Sequence, residues 1–301
     1  MDETRLPDDT RMGLVALDVA DLDAMTAFYR DVLLLEQLAE GLDSADLGRD
    51  GEALVRLRHR PDLPRGERRS AGLYHTALLH PDAATLATVV ASLAVRAPGL
   101  YTGSADHLVS QAFYLDDPEG NGVELYVDRP REAWQWDGGR VRMGSVRLDP
   151  NDFLARHLTD AGRDLIETGA GVRPASQGGQ TVGHVHLKVG DTARAKDFYV
   201  DTLGFEVTGE FPGALFVSAG GYHHHMAMNT WESEGVGLRA PALGLGTVTI
   251  SVPGYADLRM VADRAARKNV SVREGDPGEQ SPEILELFDP WGNVVRISHV
   301  A

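Results

Sequence analysis

The sequence predicts an α+β fold made of four like segments, each a strand, an amphipathic helix and further strands. Three observations predict it. The run Val19-Ala-Asp-Leu-Asp-Ala-Met-Thr-Ala-Phe28-Tyr29 returns as Val189-Gly-Asp-Thr-Ala-Arg-Ala-Lys-Asp-Phe198-Tyr199, with its valine, acidic turn and Phe-Tyr pair offset by 170 residues. Asp117-Pro118-Glu-Gly120-Asn121 returns as Asp289-Pro290-Trp-Gly292-Asn293, offset by 172. Each segment opens on an alternating apolar run, the pattern of a strand, and continues at helical spacing. Offsets this similar mean that two half-chains of about 150 residues were duplicated.

The elements follow in order. The first segment starts near Gly13; its helix is capped by Asp21 or Asp23 and carries Met25, Phe28, Tyr29 and Val32 on one stripe. The second starts near Gly72, with a helix from Pro81-Asp82 through Leu86, Val89, Val90 and Leu93. The third starts near Val182; Asp191 or Thr192 caps a helix with Ala195, Phe198, Tyr199 and Leu203 inward. The fourth starts near Leu245, with a helix from Tyr255-Ala-Asp257 through Leu258, Val261, Ala262 and Ala265. The Asp-Pro-x-Gly-Asn pieces are turns, Pro presetting one dihedral and Gly or Asn supplying positive φ; one joins Ala112–Leu115 to Val123–Val127. The expected domains are 1–130, with segments at about 11–70 and 71–130, and 181–301, with segments at about 181–240 and 241–301. Between them, 131–180 is a connector packing on the surface, with Trp134, Trp136, a short helix at Asn151–His157 and a flexible Gly-rich end at Gly169–Gly179.

Composition bounds the function. The 301 residues are 43% hydrophobic and 25% charged, as in a globular protein with real cores. No apolar run approaches the ~18 residues of a membrane span, and the acidic N-terminus lacks the order of a signal peptide, so a cytoplasmic location is expected. There is no Cys, which excludes disulfides, thiolate nucleophiles and Cys-ligated zinc or iron–sulfur clusters. A net charge of −16 argues against a nucleic-acid partner, and the basic stretch Arg56–Arg69 reads as a solvated strand end and loop. A small molecule is the natural partner; homo-oligomerisation is left open.

The chemistry lies in what each segment has kept. The same slot of the first strands holds Leu14, His75, His184 and Thr247; in the last strands Glu124 corresponds to Arg296. A lone strand His is more often structural than a ligand, but a metal has no use for Thr247 and Arg296, whereas two imidazoles and a carboxylate make a facial set with open positions.

These repeats, with Gly72-Leu-Tyr-His75, Tyr114-Leu-Asp-Asp-Pro-Glu-Gly-Asn-Gly-Val-Glu124, Gly183-His184-Val-His186 and Gly220-Gly-Tyr-His-His-His225, resemble the vicinal oxygen chelate superfamily. That superfamily includes glyoxalase I, fosfomycin and bleomycin resistance proteins and type I extradiol dioxygenases; the resemblance is greatest to the two-domain bacterial catechol 2,3-dioxygenase type. It implies four βαβββ modules paired into two cup-shaped mixed β-sheets with flanking helices. It implies Fe(II), or less often Mn(II), held by His75, Glu124 and His184, and a small aromatic diol and O2 as substrates. His224 falls in the acid–base slot, three residues before Ala227, where it would take a catechol proton and return one as the O–O bond breaks. Tyr114, ten residues before Glu124, falls in the slot that binds a substrate hydroxyl. His107 resembles a substrate-side His, although its spacing to Tyr114 is stretched. His186 shares a strand face with His184 and is expected to line the pocket or to be a structural residue.

One departure is informative. The usual extradiol order draws the ligands and the acid–base His from the second half alone; here His75, Glu124 and Tyr114 come from the first. The set is complete only if the second and third segments pair, within one chain or across a dimer. Two alternatives stay open. A glyoxalase-like isomerase, epimerase or lyase needs a fourth ligand, for which the third segment offers His225 and Asn229 but no carboxylate. A non-catalytic binding protein of the drug-sequestering kind has no use for the ligand set.

Overall fold

The computed structural model describes residues 4–138, 140–168, 179–274 and 284–299; all but Gly179 of the Gly-rich stretch lies outside the described residues. The first segment is β1 (Arg11–Val19), α1 (Leu22–Ala27), β2 (Glu36–Glu40), β3 (Ser44–Arg49) and β4 (Glu52–His59). The second is β5 (Gly72–Leu79), α2 (Ala83–Arg96), β6 (Tyr101–Asp106), β7 (Ser110–Asp116) and β8 (Gly122–Asp128). The connector holds β9 (Trp136–Asp137), β10 (Arg140–Val141), β11 (Val146–Arg147), α3 (Pro150–His157) and α4 (Asp160–Thr168). The third segment is β12 (Thr181–Lys188), α5 (Thr192–Tyr199), β13 (Glu206–Phe211), β14 (Ala214–Ser218) and β15 (Met226–Asn229). The fourth is β16 (Gly244–Val252), α6 (Tyr255–Arg267), β17 (Val272–Glu274), β18 (Leu285–Phe288) and β19 (Val294–His299).

Local chemistry sets the helix starts. Asp21, Asp82 and Asp191 accept hydrogen bonds from backbone N–H groups of the first turns of α1, α2 and α5, which satisfies otherwise orphaned donors. In α6 the Asp257 carboxylate accepts from the Gly254 N–H at 3.0 Å. The stripe predicted through Val32 is not one α-helix: α1 passes into a π-helical turn, Phe28–Val32, that keeps Phe28 and Tyr29 buried.

The strands form two large mixed sheets. One runs β17-β18-β19-β16-β1-β4-β3-β2, the other β11-β6-β7-β8-β5-β12-β15-β14-β13. Two compact units are resolved: Met1–Asp18, Arg60–Tyr74 and Gly183–Ala301, and Val19–His59 with His75–Val182.

In the first of these units β1 pairs antiparallel with β16, Arg11 opposite Ser251. In the second, the connector does more than lie on a surface. β11 extends the sheet beside β6, and Phe153 of α3, 3% exposed, packs on Phe113. Helix α4, not expected from the sequence, lies against α2 through Gly162, where a Cβ would stand 2.5 Å from the Thr88 hydroxyl.

The two repeated motifs meet in each unit. The Tyr29 hydroxyl donates to Asp117 at 3.2 Å, and the Tyr199 hydroxyl to Asp289 at 3.1 Å. Asp117 also accepts from the N–H groups of Glu119 and Asn121 and from the Asn121 amide, and Asp289 has the matching set. Gly120 and Gly292 take the positive φ the turn requires, 89° and 80°. The variable residue of the turn has diverged. Glu119 accepts from the Ala20 and Asp21 N–H groups at the start of α1, whereas Trp291 is fully buried and donates to the Val236 carbonyl.

Candidate metal centre

Register explains how the second segment gathers its groups. β5 and β8 are parallel with Ala77 beside Glu124; β7 and β8 are antiparallel with Tyr114 directly opposite Glu124. His75, two residues before Ala77, therefore shares the face of Glu124 and Tyr114. The His75 Nε2 lies 3.0 Å from the Glu124 Oε2, and both residues are buried. The His75 and Tyr114 rings are 5.7 Å apart.

His107 belongs to this group despite its stretched spacing, because Leu108 takes φ +70° in the β6–β7 turn and returns the chain. Its Nδ1 lies 2.9 Å from the Gly144 carbonyl, so that nitrogen carries the proton. In the neutral ring its Nε2, 2.6 Å from the Tyr114 oxygen, accepts from the phenol.

The other unit gathers the third segment's groups. His184 and His186 are buried on one face of β12. The ring of His224 stands 4.1 Å from that of His184, and His223 lies 6.1 Å from it. The facing Nδ1 atoms of His223 and His224 are 2.8 Å apart. His225 points elsewhere: its Nδ1 accepts from the Ala219 N–H and lies 2.8 Å from the Ser218 hydroxyl, and burial pushes its pKa down to about 3, so it is neutral. Asn229 is fully engaged. Its carbonyl accepts from the Trp231 N–H at 3.2 Å, so its amide donates to the His186 Nε2 at 2.9 Å, leaving the His186 proton on Nδ1.

The strand registers place the missing ligands too. β12 and β15 are parallel with His186 beside Ala227, the relation of Ala77 to Glu124. Ala227 thus holds the carboxylate slot of the third segment, opposite Phe216. In the fourth, Arg296 holds that slot opposite Glu286, its guanidinium 2.7 Å from the carboxylate. In the first, Arg56 faces Asp46 in the same way at 2.7 Å. In these two segments an arginine–carboxylate ion pair spans the hairpin instead.

Among the described residues, one group of three could hold a metal ion: His75, Glu124 and His184, all buried, with ligand atoms within 4.8 Å of one another. The donor set, two imidazoles and a carboxylate, suits a divalent first-row metal. No helix among the described residues is long and apolar enough to cross a membrane. Sequence reading missed Tyr74, Phe216 and Trp231 around His186; the one available signal was the aromatic content of the segment's later strands and following loop.

Comparison with known proteins agrees with this fold. The family described as Glyoxalase/Bleomycin resistance protein/Dioxygenase superfamily matches residues 181–297. Catechol-2,3-dioxygenase of Bacillus subtilis (strain 168) is 38% identical over 284 residues, covering 90% of this chain and 93% of that protein. Glyoxalase I from Zea mays has the same fold, with a TM-score of 0.59 at 17% identity, over 97% of this chain and 92% of that one. A solved structure from Bacillus subtilis subsp. subtilis str. 168 superposes with a TM-score of 0.66 at 14% identity, over 98% of this chain and 86% of that one. With repeated segments, matching sheets and a relative this similar along nearly its whole length, the chain belongs to the glyoxalase, bleomycin resistance protein and dioxygenase superfamily.

Proposed function

We propose that this protein is an extradiol ring-cleaving dioxygenase. It opens catechol or a substituted catechol with O2 at one divalent metal, Fe(II) ahead of Mn(II), held by His75, Glu124 and His184. The observation that carries the reading is the grouping of His75, Glu124 and His184, with Tyr114 directly opposite the carboxylate and hydrogen-bonded to His107. The Bacillus subtilis relative named catechol-2,3-dioxygenase supports the reaction class. The duplicated halves, 1–130 and 181–301 joined by 131–180, are part of the same reading.

When bound, the metal supplies Lewis acidity that lowers the pKa of a coordinated hydroxyl. The protein's groups do the rest. Because the Tyr114 proton is committed to His107, the phenol oxygen presents lone pairs and accepts a hydrogen bond from a substrate hydroxyl. His224, beside His184 and partly open to solvent, takes a proton from the second hydroxyl and returns it later. Its contact with His223 orients the ring.

The isomerase or lyase alternative is disfavoured by a specific observation. The slot for a fourth ligand holds Ala227, and His225 and Asn229 are engaged in other hydrogen bonds.

The test is to purify the protein without oxygen, load Fe(II) or Mn(II), add catechols and air, and follow the yellow ring-opened product. Turnover is expected, with O2 consumed in equal amount. A panel of catechols giving no product with either metal would refute the reading. His224→Phe is expected to keep its metal and lose at least about 100-fold in kcat, the usual scale of acid–base catalysis.

A further inference from the structure

We infer that a cavity between the end of α5, the end of α6 and the N-terminal segment binds a small organic anion, a carboxylate or phosphate group on an apolar body. Every residue lining it belongs to the unit formed by Met1–Asp18, Arg60–Tyr74 and Gly183–Ala301, and none belongs to the candidate metal centre. The site therefore stands apart from the ring-cleavage reading.

The cavity has a volume of about 670 Å³, within the roughly 300–1,000 Å³ of ligand pockets. Its walls are held in place. Leu6 is buried and donates its N–H to the Gly204 carbonyl at 2.8 Å, which fixes the N-terminal segment as one wall. Gly204 turns the chain from α5 into β13 at φ +96°, and a Cβ there would stand 2.7 Å from the Arg264 Nη2. That close approach lays the Arg264 guanidinium against the turn, where Nε donates to the Thr202 carbonyl at 3.1 Å and Nη2 to the Leu203 carbonyl. Arg264 is 4% exposed, so one cation of the cavity is built into the protein rather than carried on its surface. Buried Phe205 and half-buried Val207 supply apolar lining.

Charge selects an anion. The chain carries 29 basic and 45 acidic side chains, yet this cavity inverts the balance. Arg5, Arg264, Arg267 and Lys268 line it with Asp201 and Glu206, four cations against two anions, a local charge of +2. Both carboxylates are engaged, Glu206 with Arg5 and Asp201 with the Lys268 ammonium at 3.3 Å. The excess charge lies with Arg264 and Arg267, one turn apart at the end of α6. Burial, and next the like charge of Arg267, hold the Arg264 guanidinium below its ordinary pKa. An anion beside the two arginines offsets that repulsion, and a guanidinium can meet two oxygens of a carboxylate or phosphate with parallel hydrogen bonds. A bare inorganic anion would leave Phe205 and Val207 facing water, whereas an attached ring covers them.

The test is titration calorimetry on the full chain, with Mn(II) supplied, using benzoate, phenyl phosphate, neutral benzamide and inorganic phosphate. Benzoate or phenyl phosphate should bind at least about tenfold more tightly than benzamide, the scale of one charged hydrogen bond. Tighter benzoate assigns a carboxylate ligand, and tighter phenyl phosphate a phosphate one. Phenyl phosphate should bind at least about fivefold more tightly than inorganic phosphate, because only the ring covers the apolar lining. Arg267→Glu, at an exposed position, should keep the circular dichroism of wild type and weaken the tighter organic anion at least about tenfold. Anion binding that Arg267→Glu leaves unchanged arises elsewhere, at the metal centre for example, and overturns the site. Benzamide binding as tightly as both organic anions overturns the anion selectivity, inorganic phosphate matching phenyl phosphate overturns the apolar body, and no binding of either organic anion overturns the whole proposal. Arg267-dependent binding without ring opening of any catechol sustains this site while refuting the ring-cleavage reading.

Discussion

Replacing Tyr29 by Phe deletes one oxygen from a buried contact and leaves the ring in place. Tyr29 is 1% exposed, and its hydroxyl is one of four donors to the Asp117 carboxylate. Burial holds the phenol well above its ordinary pKa, so it stays a donor throughout the working range. A hydrogen bond to a charged group contributes about 1.5–3 kcal/mol, and a length of 3.2 Å points to the lower end. Tyr29→Phe should therefore cost about 2 kcal/mol at pH 8. Tyr199→Phe removes the matching contact to Asp289 at 3.1 Å and should cost a similar amount. Urea unfolding followed by circular dichroism measures both, with the slope against urea unchanged. Losses under about 0.5 kcal/mol in both variants would refute the view that this tie fastens the Phe-Tyr helix to the turn.

Three further outcomes are expected. Burial pushes the Asp117 carboxyl up to about 6, so between the unfolded value near 4 and pH 6 the folded chain holds a proton that the unfolded chain has released. Stability from this group therefore falls as pH rises, and wild type should lose about 1 kcal/mol relative to Asp117→Asn between pH 5.5 and 8; a difference independent of pH would contradict it. Gly220→Ala should cost at least about 2 kcal/mol in the same urea assay, because φ is +60° and the new Cβ would lie 2.3 Å from the Asp8 carbonyl oxygen; a loss under about 0.5 kcal/mol would show that the chain relaxes freely there. Glu124→Gln should retain the fold and lower bound Fe(II) or Mn(II) at least about tenfold by elemental analysis, and full occupancy would remove Glu124 from the ligand set.

Much of the fold was legible because duplication doubled the signal. Segment starts, the caps Asp21 and Asp191, each one of two candidates, and the Asp-Pro-x-Gly-Asn turns follow from spacing and turn chemistry. The reason those turns persist beside a Phe-Tyr pair was not legible, since Tyr29 and Asp117 meet only through tertiary structure. Helix α4 escaped because its apolar stripe is sparse and Gly162 reads as a breaker; its role is to admit Thr88 closely. Ligand slots could be aligned from the last strands, yet the ten-residue spacing of Tyr114 and Glu124 also recurs in Asp46–Arg56 and Glu286–Arg296, and only register showed these to be ion pairs in the same slots. The rings around His186 come from Tyr74, β14 and the loop after β15, so no single run of sequence displays them.

The pairing of β1 with β16 has a consequence for synthesis. On its β16 side, Arg11 finds its neighbour in Ser251, 240 positions later. At about 5–20 residues per second, the apolar first strand leaves the ribosome roughly 10–50 s before its partner exists. Contacts this distant in sequence also make folding slow. The nascent chain therefore carries an unmatched strand edge through most of its translation, and this protein should depend on chaperone cover in the cell more than its compact segments would suggest.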